Sequence, residues 1–503
     1  MSAVVRRFRK GDRSKGRHGT RRHGPNGIGR GTGRTHGTGR THGTGSTGGT
    51  GNTGSTGGIG STGGTGGTGG TGTGGTGGTG GTGGTGGTGG TGGTGGTGGT
   101  GGTGGTGSGP SAAGLHVVGN GLQSGQGQPV VLHGTEISGS AYACEQNGGY
   151  GFSDTPSGSS LYGPMVPWHI NSVTIGINQD CWLGINGVQA QYSGQNYINW
   201  LKAQVTSMES YGMYPVIAFF VGEPGTDTPN WYSTGNGNAP MPDNDHVPLV
   251  WEEIANTFKS DPNVIFRAYE EPWPEFYGNV NTAWKCWSAG DVQYGTGSDS
   301  TLPTGWESSP GTQPAPSSVS STQNCNPLNT DGNGTSYSAV GFQSLVNIIR
   351  GTGAQNVIQL PGIAFANALT CTNTGDPNTC GFLQPGIRVT DPLGTTDPTL
   401  GQQMMADTDN YPDLGQFVNS VTSVQDTYGP VEQVMPIDMG EAGEEGNSPS
   451  FPLIQQFINQ YDTWGQSYYL SQWESWANLI SNYNGTPATG FGTWAYDHMT
   501  GAG

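Results

Sequence analysis

Two short apolar runs of this sequence each end in a glutamate, followed closely by a residue that stops a strand. Residues 264–272 place Glu271 directly before a proline, and residues 434–443 place Glu441 two positions before a glycine. A pair of carboxyl groups, one protonated and one ionised, is what cleavage of a glycosidic bond requires. Either glutamate alone could be an ordinary exposed side chain, but the repeated arrangement favours a catalytic pair.

The two glutamates can meet only if their runs are strands of one sheet. Eight apolar runs alternate with helix-like segments after residue 113, which indicates a parallel sheet, and eight strands favour closure into a (β/α)8 TIM barrel. The runs are 129–137, 172–179, 214–221, 264–272, 356–363, 404–411, 434–443 and 467–473. Glu271 and Glu441 then end strands four and seven, at the face where barrel active sites lie.

The segments between the strands show the spacing of helices. The helix-like segments are 197–211, 247–260, 339–351, 412–428 and 451–464. Residues 284–335 are instead rich in Ser, Gly, Thr and Pro, which predicts a long loop after the fourth strand. Loops of that length are commonly functional or disordered.

The first 113 residues have a different composition from the rest. A basic segment is followed at residues 30–107 by a Gly-Thr tract of Thr-Gly-Gly triplets. The triplets lack the proline that presets a collagen-like backbone, and they offer almost no apolar area to bury. We therefore predict a disordered tail or linker over 1–113, ahead of a catalytic domain over 114–503. A surface tether is the functional alternative for the tail.

Charge is divided unevenly between these two parts. The net charge is −17, and residues 1–113 hold 12 of the 18 basic residues but one acid, which leaves 6 basic and 34 acidic residues for the domain. So acidic a domain argues against nucleic acid or an anionic membrane surface as partner, and suits a neutral polysaccharide. No apolar stretch is long enough to span a membrane. We expect a monomer.

All six cysteines lie in the acidic domain. Their even number and the lack of zinc-site spacing favour three disulfides over free buried thiols, and hence an oxidising compartment. Spacing alone leaves the pairing open, although Cys371 with Cys380 is the most local option. We predict the pairs Cys371–Cys380, Cys144–Cys181 and Cys286–Cys325. The expected location is extracellular, with a misassigned start or an unconventional export route, because no signal-peptide apolar run follows Met1.

The strand-end motifs resemble those of the bacterial, chiefly actinobacterial, cellulase-like branch of glycoside hydrolase family 5. Glu271-Pro272 matches the last two positions of the family's Asn-Glu-Pro, and Glu441 lies in a match to its Gly-Glu-x-Gly. Further matching stretches are 178–183, 241–246, 357–362 and 479–487. The resemblance covers nearly all of 114–503. It implies a retaining mechanism with Glu271 as acid/base and Glu441 as nucleophile, their carboxyls about 5–5.5 Å apart.

Three positions depart from the family pattern. Thr174 stands where the family has an arginine that supports the nucleophile, Glu270 where it has an asparagine that contacts the sugar, and Asp409 where it has a histidine. The tyrosine of that last motif is kept as Tyr411. Each departure removes a positive or neutral polar group, and two add a carboxyl. Because like charges oppose ionisation, we expect raised carboxyl pKa values and an acid activity optimum.

Aromatic side chains suit a sugar-binding cleft, because sugar C–H faces pack on aromatic rings. By the family resemblance, Trp473 is the candidate platform beside the cleaved bond, within a stretch that also holds Trp476. Trp273 is a further candidate contact, and so is Trp182. Each of these could equally be ordinary packing. Glu270, Asp409 and Tyr411 are the predicted polar substrate contacts.

No cofactor or metal is expected from the sequence. The domain's histidines are scattered, and the Gly-Thr tract lacks the strand, lysine and helix of a phosphate-binding loop. The preferred function is a retaining, cellulase-like endo-β-glycanase, a glycoside hydrolase that acts on a β-linked polysaccharide or oligosaccharide. One alternative is a catalytically impaired barrel that only binds glycan. The other is a structural surface protein in which the tail is the working part.

Overall fold

The computed structural model describes most of the domain that follows the Gly-Thr tract. The described residues are 114–146, 149–151, 155–222, 239, 241–274, 280–290, 339–396, 401–414, 416–444, 452–475 and 477–502. The tail predicted for 1–113 lies outside them, as do Cys325, Trp476 and most of the loop predicted for 284–335.

The centre of the domain is a closed barrel of eight parallel strands, which confirms the predicted (β/α)8 TIM barrel. Each strand pairs with the next along the chain, and the eighth closes on the first. The strands are β1 (His133–Ile137), β2 (Ser172–Asn178), β3 (Tyr214–Val221), β4 (Ile265–Arg267), β5 (Ile358–Pro361), β6 (Met404–Asn410), β7 (Ile437–Ala442) and β8 (Ser467–Leu470). β5 to β7 are buried along their whole length. A strand covered on both faces explains the near-continuous apolar runs of the sequence.

Helices alternate with the strands. The α-helices are Ala143–Gln146, Ser159–Tyr162, Gln179–Leu183, Gln195–Ser210, Val247–Phe258, Val280–Ala289, Phe342–Gly351, Leu393–Thr396, Val421–Thr427, Gly429–Glu432, Pro452–Trp464 and Phe491–Thr500. In Val247–Phe258 a proline in the first turn fits the unpaired N–H positions there, and Val250, Trp251 and Ile254 form the buried face. Within the described residues, no helix has the length and apolarity needed to cross a membrane.

A small antiparallel sheet lies outside the barrel. It is formed by His116–Val118, Gly121–Gln123 and Pro129–Val130. Leu122 of this sheet packs with Val216, Ile265 and Met405, which come from three barrel strands. The run 129–137 was predicted as one strand, but it divides between this sheet and β1.

Two other boundaries differ from prediction. β4 ends at Arg267, earlier than the apolar run 264–272, and the chain beyond it reaches Glu271 with a positive φ of 43°. A left-handed residue cannot continue a strand, so the apolar run overstated its length. The predicted loop 284–335 begins too early, because Val280–Ala289 is a helix in which Trp284 and Trp287 are buried.

Two of the predicted cysteine pairs are bonded in the structure. Cys144 is joined to Cys181, with Cα atoms 6.2 Å apart, and Cys371 to Cys380, with Cα atoms 5.5 Å apart. Both separations are usual for disulfides. Cys286 is also disulfide-bonded, and its predicted partner lies outside the described residues. The first bridge joins the helix Ala143–Gln146 after β1 to the helix Gln179–Leu183 after β2.

Candidate active site

The two glutamates predicted as the catalytic pair lie at the C-terminal ends of β4 and β7. Glu271 follows β4 by four residues, and Glu441 is the penultimate residue of β7. Both are almost fully buried, at 3% and 2% exposure. β7 shifts register against both neighbouring strands between Met439 and its last two residues. This irregularity, commonly used near active sites to redirect a side chain, lies directly at Glu441.

Gly440 is needed immediately before Glu441. A Cβ atom at this position would lie 2.1 Å from Oδ1 of Asp407 and 2.4 Å from Nη2 of Arg267. Both distances are far below van der Waals contact. The lack of a side chain at Gly440 therefore lets a carboxylate and a guanidinium pack against the backbone that carries Glu441.

Tyr411, which the sequence predicted for the site, reaches Glu441. Its side chain is buried, and its hydroxyl donates a hydrogen bond to Oε2 of Glu441. The same hydroxyl is hydrogen-bonded to Oγ of Ser471, just beyond β8. A hydrogen bond donated to a carboxylate stabilises its ionised form. The contact thus favours the anionic state that a nucleophile at Glu441 needs.

The sequence reasoning missed Arg267, the last residue of β4. This side chain is fully buried, with Nη1 3.1 Å from Oε2 of Glu270, Nε 3.2 Å from Oδ2 of Asp407, and Nη1 3.9 Å from Oε2 of Glu136. Nε also donates to Oε1 of Gln359 at 3.3 Å. One signal could have identified it: an arginine inside an apolar strand must find a buried anion.

Arg267 corrects the expected loss of positive charge. Thr174, at the position of the family's arginine, is fully buried, and its hydroxyl oxygen has no hydrogen-bond partner among the described residues. The guanidinium that lies among these buried acids belongs to Arg267 at the end of β4, and β2 offers none. Arg267 therefore offsets part of the negative charge of the carboxyls near Glu441. Among the described residues, its single positive charge faces several acidic side chains.

Six buried acidic side chains lie around Arg267, and we call them the carboxyl cluster. Its members are Glu136, Glu270, Asp407, Asp409, Asp438 and Glu441. Burial is the leading cause that raises the pKa of five of them, followed in most by the charge of neighbouring members. The pKa is raised well above its ordinary value for Glu136, Glu270, Asp409 and Asp438, and is raised for Asp407. The raised carboxyl pKa values expected from the added acids are thus present.

Glu270 and Asp409, both predicted as substrate contacts, are deeply buried. Glu270 is 2% exposed and ion-paired with Arg267, and its backbone N–H donates to the carbonyl of Phe219 in β3. Asp409 is fully buried, and its pKa is raised by burial and then by the charge of Asp407. In these positions both carboxyls contribute to the electrostatics of the cluster. Glu270 is also adjacent to Glu271 in the sequence.

The two predicted tryptophan contacts differ in placement. Trp473 is fully buried, with its ring edge-on to Trp168 at 5.3 Å between centroids. A platform needs an exposed ring face, so the platform interpretation of Trp473 is wrong for this arrangement. Trp273 is partly exposed and stacks on Phe365, with centroids 5.9 Å apart and planes 22° apart. The further candidate Trp182 is buried and donates to Glu253.

The Trp273–Phe365 pair is held by an unusual turn after β5. Ala364, Phe365 and Ala366 all have positive φ, between 56° and 60°. Consecutive left-handed residues other than glycine are rare and mark a conformation that the surroundings must enforce. One such constraint is the hydrogen bond from the N–H of Phe365 to the carbonyl of Pro272, at 3.0 Å. This bond joins the loop after β5 to the loop that carries Glu271.

Three sets of the described side chains have ligand atoms close enough to hold a metal ion, but in one, Cys144 with Glu145 and Cys181, the two cysteines form a disulfide, which leaves two sets. The first, Asp243 with Asp245 and His246, has a structural explanation: Oδ1 of Asp243 accepts the N–H of His246 at 2.9 Å, at the start of helix Val247–Phe258. The second lies within the carboxyl cluster. There the Arg267 guanidinium already supplies positive charge, so we assign no metal.

Comparisons with known proteins return structures but no sequence relatives. No protein-family model matches the chain, and no curated protein matches it. The chain is similar to a β-glucanase of Saccharophagus degradans, at 14% identity over 77% of this chain and 93% of that one, with a TM-score of 0.46. It is also similar to an endo-β-1,4-glucanase of Xanthomonas axonopodis pv. citri, at 14% identity over 74% of this chain and 99% of that one, with a TM-score of 0.45. A third similar structure is the catalytic domain of Thermobifida fusca endoglucanase Cel5A, at 13% identity over 76% of this chain and 96% of that one, with a TM-score of 0.44. A likeness at this level leaves the assignment of function to the residues of the site.

Proposed function

We propose that this chain is a retaining endo-β-glycanase of cellulase-like type, a glycoside hydrolase whose site lies at the C-terminal mouth of the barrel. The observation that carries the proposal is the placement of Glu441 at the end of β7, with the hydroxyl of Tyr411 on its carboxylate. Glu271, at the end of β4, supplies the second carboxyl. The arrangement matches the need for one anionic and one protonated carboxyl.

In the proposed reaction, the protonated carboxyl of Glu271 gives its proton to the glycosidic oxygen while the carboxylate of Glu441 attacks the anomeric carbon. The bond to the leaving sugar breaks, and a glycosyl ester of Glu441 forms. Glu271, now ionised, then takes a proton from water, and the water oxygen displaces Glu441. Such a mechanism requires about 5–5.5 Å between the two carboxyls, which remains our prediction for Glu271 and Glu441.

Glu270 and Arg267 set the conditions under which this reaction runs. A protonated Glu270 can donate a hydrogen bond to a sugar hydroxyl as an asparagine would, whereas its ionised form can only accept. Burial raises the pKa of Glu270 well above its ordinary value, while Arg267 opposes that effect. We therefore expect the enzyme to work in mildly acidic medium, where part of the carboxyl cluster is neutral.

The substrate class we propose is a β-linked glucan or a related β-glycan, and the protein is expected to act alone and outside the cell. Two disulfides among the described residues support an oxidising compartment. The partly exposed Trp273–Phe365 pair, beside the Glu271 loop, offers an apolar face for a sugar ring.

The test compares turnover of several β-glycans by the parent and by Glu271→Gln and Glu441→Gln, at pH values from acid to neutral. Each substitution keeps the side-chain shape and removes one role, and we expect kcat to fall by about 10³-fold or more. Asp426→Asn is the matched control, because Asp426 is exposed in helix Val421–Thr427, away from the barrel mouth. NMR of the first product should show retention of anomeric configuration. Inversion, or full activity in either glutamate variant, contradicts the proposal.

The burial of the carboxyl cluster favours a second candidate, a barrel that binds glycan without cleaving it. Burial raises the pKa of five members of the cluster, and neutral carboxyls can bind sugar hydroxyls as donors and acceptors without taking part in catalysis. This candidate takes over if the parent is inactive at every pH while oligosaccharides still bind. A structural role for residues 1–113 is dismissed if their removal leaves glycan hydrolysis unchanged.

A further inference from the structure

Glu136, the fourth residue of β1, lies in the carboxyl cluster and no part of the proposed reaction uses it. It is fully buried. One carboxylate oxygen each from Glu136, Glu270 and Glu441 lie within 4.8 Å of one another. Resting on the proposed function, we propose that Glu136 is a positioning residue for Glu441: it carries a proton and donates it, through Oε2, as a hydrogen bond to the nucleophile.

One oxygen of Glu136 is fixed by a chain of hydrogen bonds. Nε2 of Gln472 donates to Oε1 of Glu136 at 2.6 Å, and Oγ of Ser138 donates to Oε1 of Gln472 at 2.7 Å. The hydroxyl of Ser138 thereby orients the Gln472 amide, so that its NH₂ faces Glu136. With Oε1 accepting from this amide, Oε2 is the oxygen left to carry a proton.

The other oxygen of Glu136 has no donor partner. Oε2 is buried without a hydrogen bond among the described residues, and it lies 3.9 Å from Nη1 of Arg267, beyond hydrogen-bond distance. The same guanidinium is committed at 3.1 and 3.2 Å to Glu270 and Asp407. One cation cannot neutralise three carboxylates. Of Glu136, Glu270 and Asp407, Glu136 lies farthest from the guanidinium.

One carboxyl oxygen of Glu136 lies within 4.8 Å of a carboxyl oxygen of Glu441, close enough for two buried charges to interact strongly. Two ionised carboxylates are both acceptors and would repel, so one of them must hold a proton for the contact to be favourable. The hydroxyl of Tyr411 donates to Glu441 and stabilises its anion. Burial, and next the charge of Glu441, raises the pKa of Glu136 well above its ordinary value. Both effects place the proton on Glu136.

The titratable and hydrogen-bonding groups near Glu136 lie on, or just beyond, strands β4, β6, β7 and β8. They are Glu441 on β7, Arg267 and Glu270 at β4, Tyr411 after β6 and Gln472 after β8, while the neighbouring β2 residue, Thr174, does not titrate. Glu270 and Glu441 favour the protonated form of Glu136, and Arg267 opposes it. As pH rises, the loss of this proton would turn a donor to the nucleophile into a repelling charge. We therefore expect the loss of this proton to contribute to the high-pH limb of activity, together with the loss of the acid proton of Glu271.

The experiment uses Glu136→Gln, which presents an amide donor that needs no proton, and Glu136→Ala, which presents none. The variants are made in the full-length chain. In the Gln variant, the NH₂ of Gln472 still needs an acceptor at the Oε1 position, so the oxygen of the new amide takes that position and its NH₂ takes the position of Oε2. We expect the Gln variant to keep kcat within about threefold of the parent at low pH and to move the high-pH limb upward by about one pH unit or more. We expect the Ala variant to lose about 10²-fold in kcat at all pH values.

The control is Glu432→Gln, a buried glutamate that accepts from Nδ2 of Asn120 at 2.9 Å outside the cluster, and its pH profile should match the parent. A Gln variant whose profile superimposes on the parent, or which is as inactive as the Ala variant, overturns the proposal.

Infrared spectroscopy provides a readout that does not depend on turnover. The difference spectrum of the parent minus Glu136→Gln, recorded at mildly acidic pH, should contain the C=O stretch of a protonated carboxyl. If that band is missing, the proposal is wrong. If the band is present but no β-glycan is hydrolysed at any pH, the proposed function fails while the assignment of the proton to Glu136 is supported.

Discussion

Arg267 and Glu270, three residues apart at the end of one strand, form a buried ion pair with 3.1 Å between Nη1 and Oε2. The cation that balances the site therefore comes from the same segment that carries the proposed acid/base, Glu271. A buried charge is tolerated only when it is paired and hydrogen-bonded. Arg267 meets this condition through Glu270, Asp407 and Gln359, and it links β4 to its neighbour β5 and to β6 inside the barrel.

Removing this cation should destabilise the barrel in a pH-dependent way. Arg267→Met leaves Glu270 and Asp407 buried without a counter-charge, and we expect a loss of about 3–5 kcal/mol in the free energy of unfolding at neutral pH. The loss should shrink in acid, where the carboxyls are neutral. Denaturant unfolding at two pH values measures both quantities.

The matched control for that substitution is Arg350→Met. Arg350 is also buried and forms a bidentate pair with Asp391 at 2.9 Å, remote from the carboxyl cluster. It should lower stability while leaving the pH optimum of the remaining activity unchanged. An equal loss at both pH values for Arg267→Met would contradict the role of the cluster.

Restoring the family residue at Glu270 should move the activity optimum. Glu270→Asn removes one carboxyl from the cluster, keeps a hydrogen-bonding side chain, and frees Arg267 to serve Asp407 and Glu136. Because the asparagine amide can donate at every pH, whereas Glu270 donates only when protonated, we expect the optimum to move from acid toward neutral pH. The measurement is kcat against pH for the parent and the variant. A parent optimum at neutral pH, or an unchanged profile in the variant, would refute the electrostatic account.

The raised carboxyl pKa values also predict how stability depends on pH. A carboxyl whose folded pKa exceeds its unfolded value binds more protons in the folded state, so its contribution is complete below the unfolded pKa and is lost as pH rises. Glu145, which hydrogen-bonds Asn178, has its pKa raised by burial from 4.5 to about 7. We expect its contribution to disappear between those two values. In Tm measurements, the difference between the parent and Glu145→Gln should fall across this window, and a flat difference would exclude the effect.

Trp273 and Trp473 should respond differently to truncation. Trp273→Ala removes a partly exposed ring at the barrel mouth, and we expect KM to rise about tenfold with little change in Tm. Trp473→Ala removes a fully buried ring and should cost about 3–5 kcal/mol of stability. Steady-state kinetics with thermal unfolding separates the two. An unchanged KM for Trp273→Ala would remove it from the substrate site.

The two described disulfides should differ in what they stabilise. The bond between Cys144 and Cys181 spans 37 residues, and that between Cys371 and Cys380 spans 9, so the first restricts the unfolded chain more. Replacing both cysteines of the long bridge by serine should lower the free energy of unfolding by about 2–4 kcal/mol, and replacing those of the short bridge by less. Peptide mapping without reductant identifies the bonds. Free thiols at all six positions would refute the pairing.

The sequence predicted the barrel well because strand burial leaves a direct signal. Each of the eight apolar runs contains one barrel strand, and the largest errors lie where the run continues past the last paired residue, as at β4. Glu271 and Glu441 were identifiable because each is followed by a strand-ending residue. The carboxyl cluster was not. Glu136 belongs to no motif, and its proximity to Glu441 depends on strand register and on the irregularity in β7, which a single sequence does not contain.

Arg267 and Trp473 illustrate two further limits. The family resemblance directed attention to the expected arginine at Thr174, whereas the guanidinium among the buried acids lies on β4. For Trp473, the sequence shows that a tryptophan follows β8 but not that its ring packs on Trp168. Burial of one aromatic side chain against another depends on how distant segments pack, and the spacing of residues along the chain does not determine it.

The register of β1 against β2 determines what an arginine introduced at position 174 would meet. Thr174 is the register partner of Glu136, whose carboxyl already lies 3.9 Å from Arg267. An arginine introduced at 174 would enter a space whose acids are arranged around another cation, and the loss of Arg267 alone would strand those acids. Neither substitution alone keeps the charge balance of the carboxyl cluster. Thr174→Arg and Arg267→Met should therefore be strongly epistatic, with effects on the free energy of unfolding that do not add.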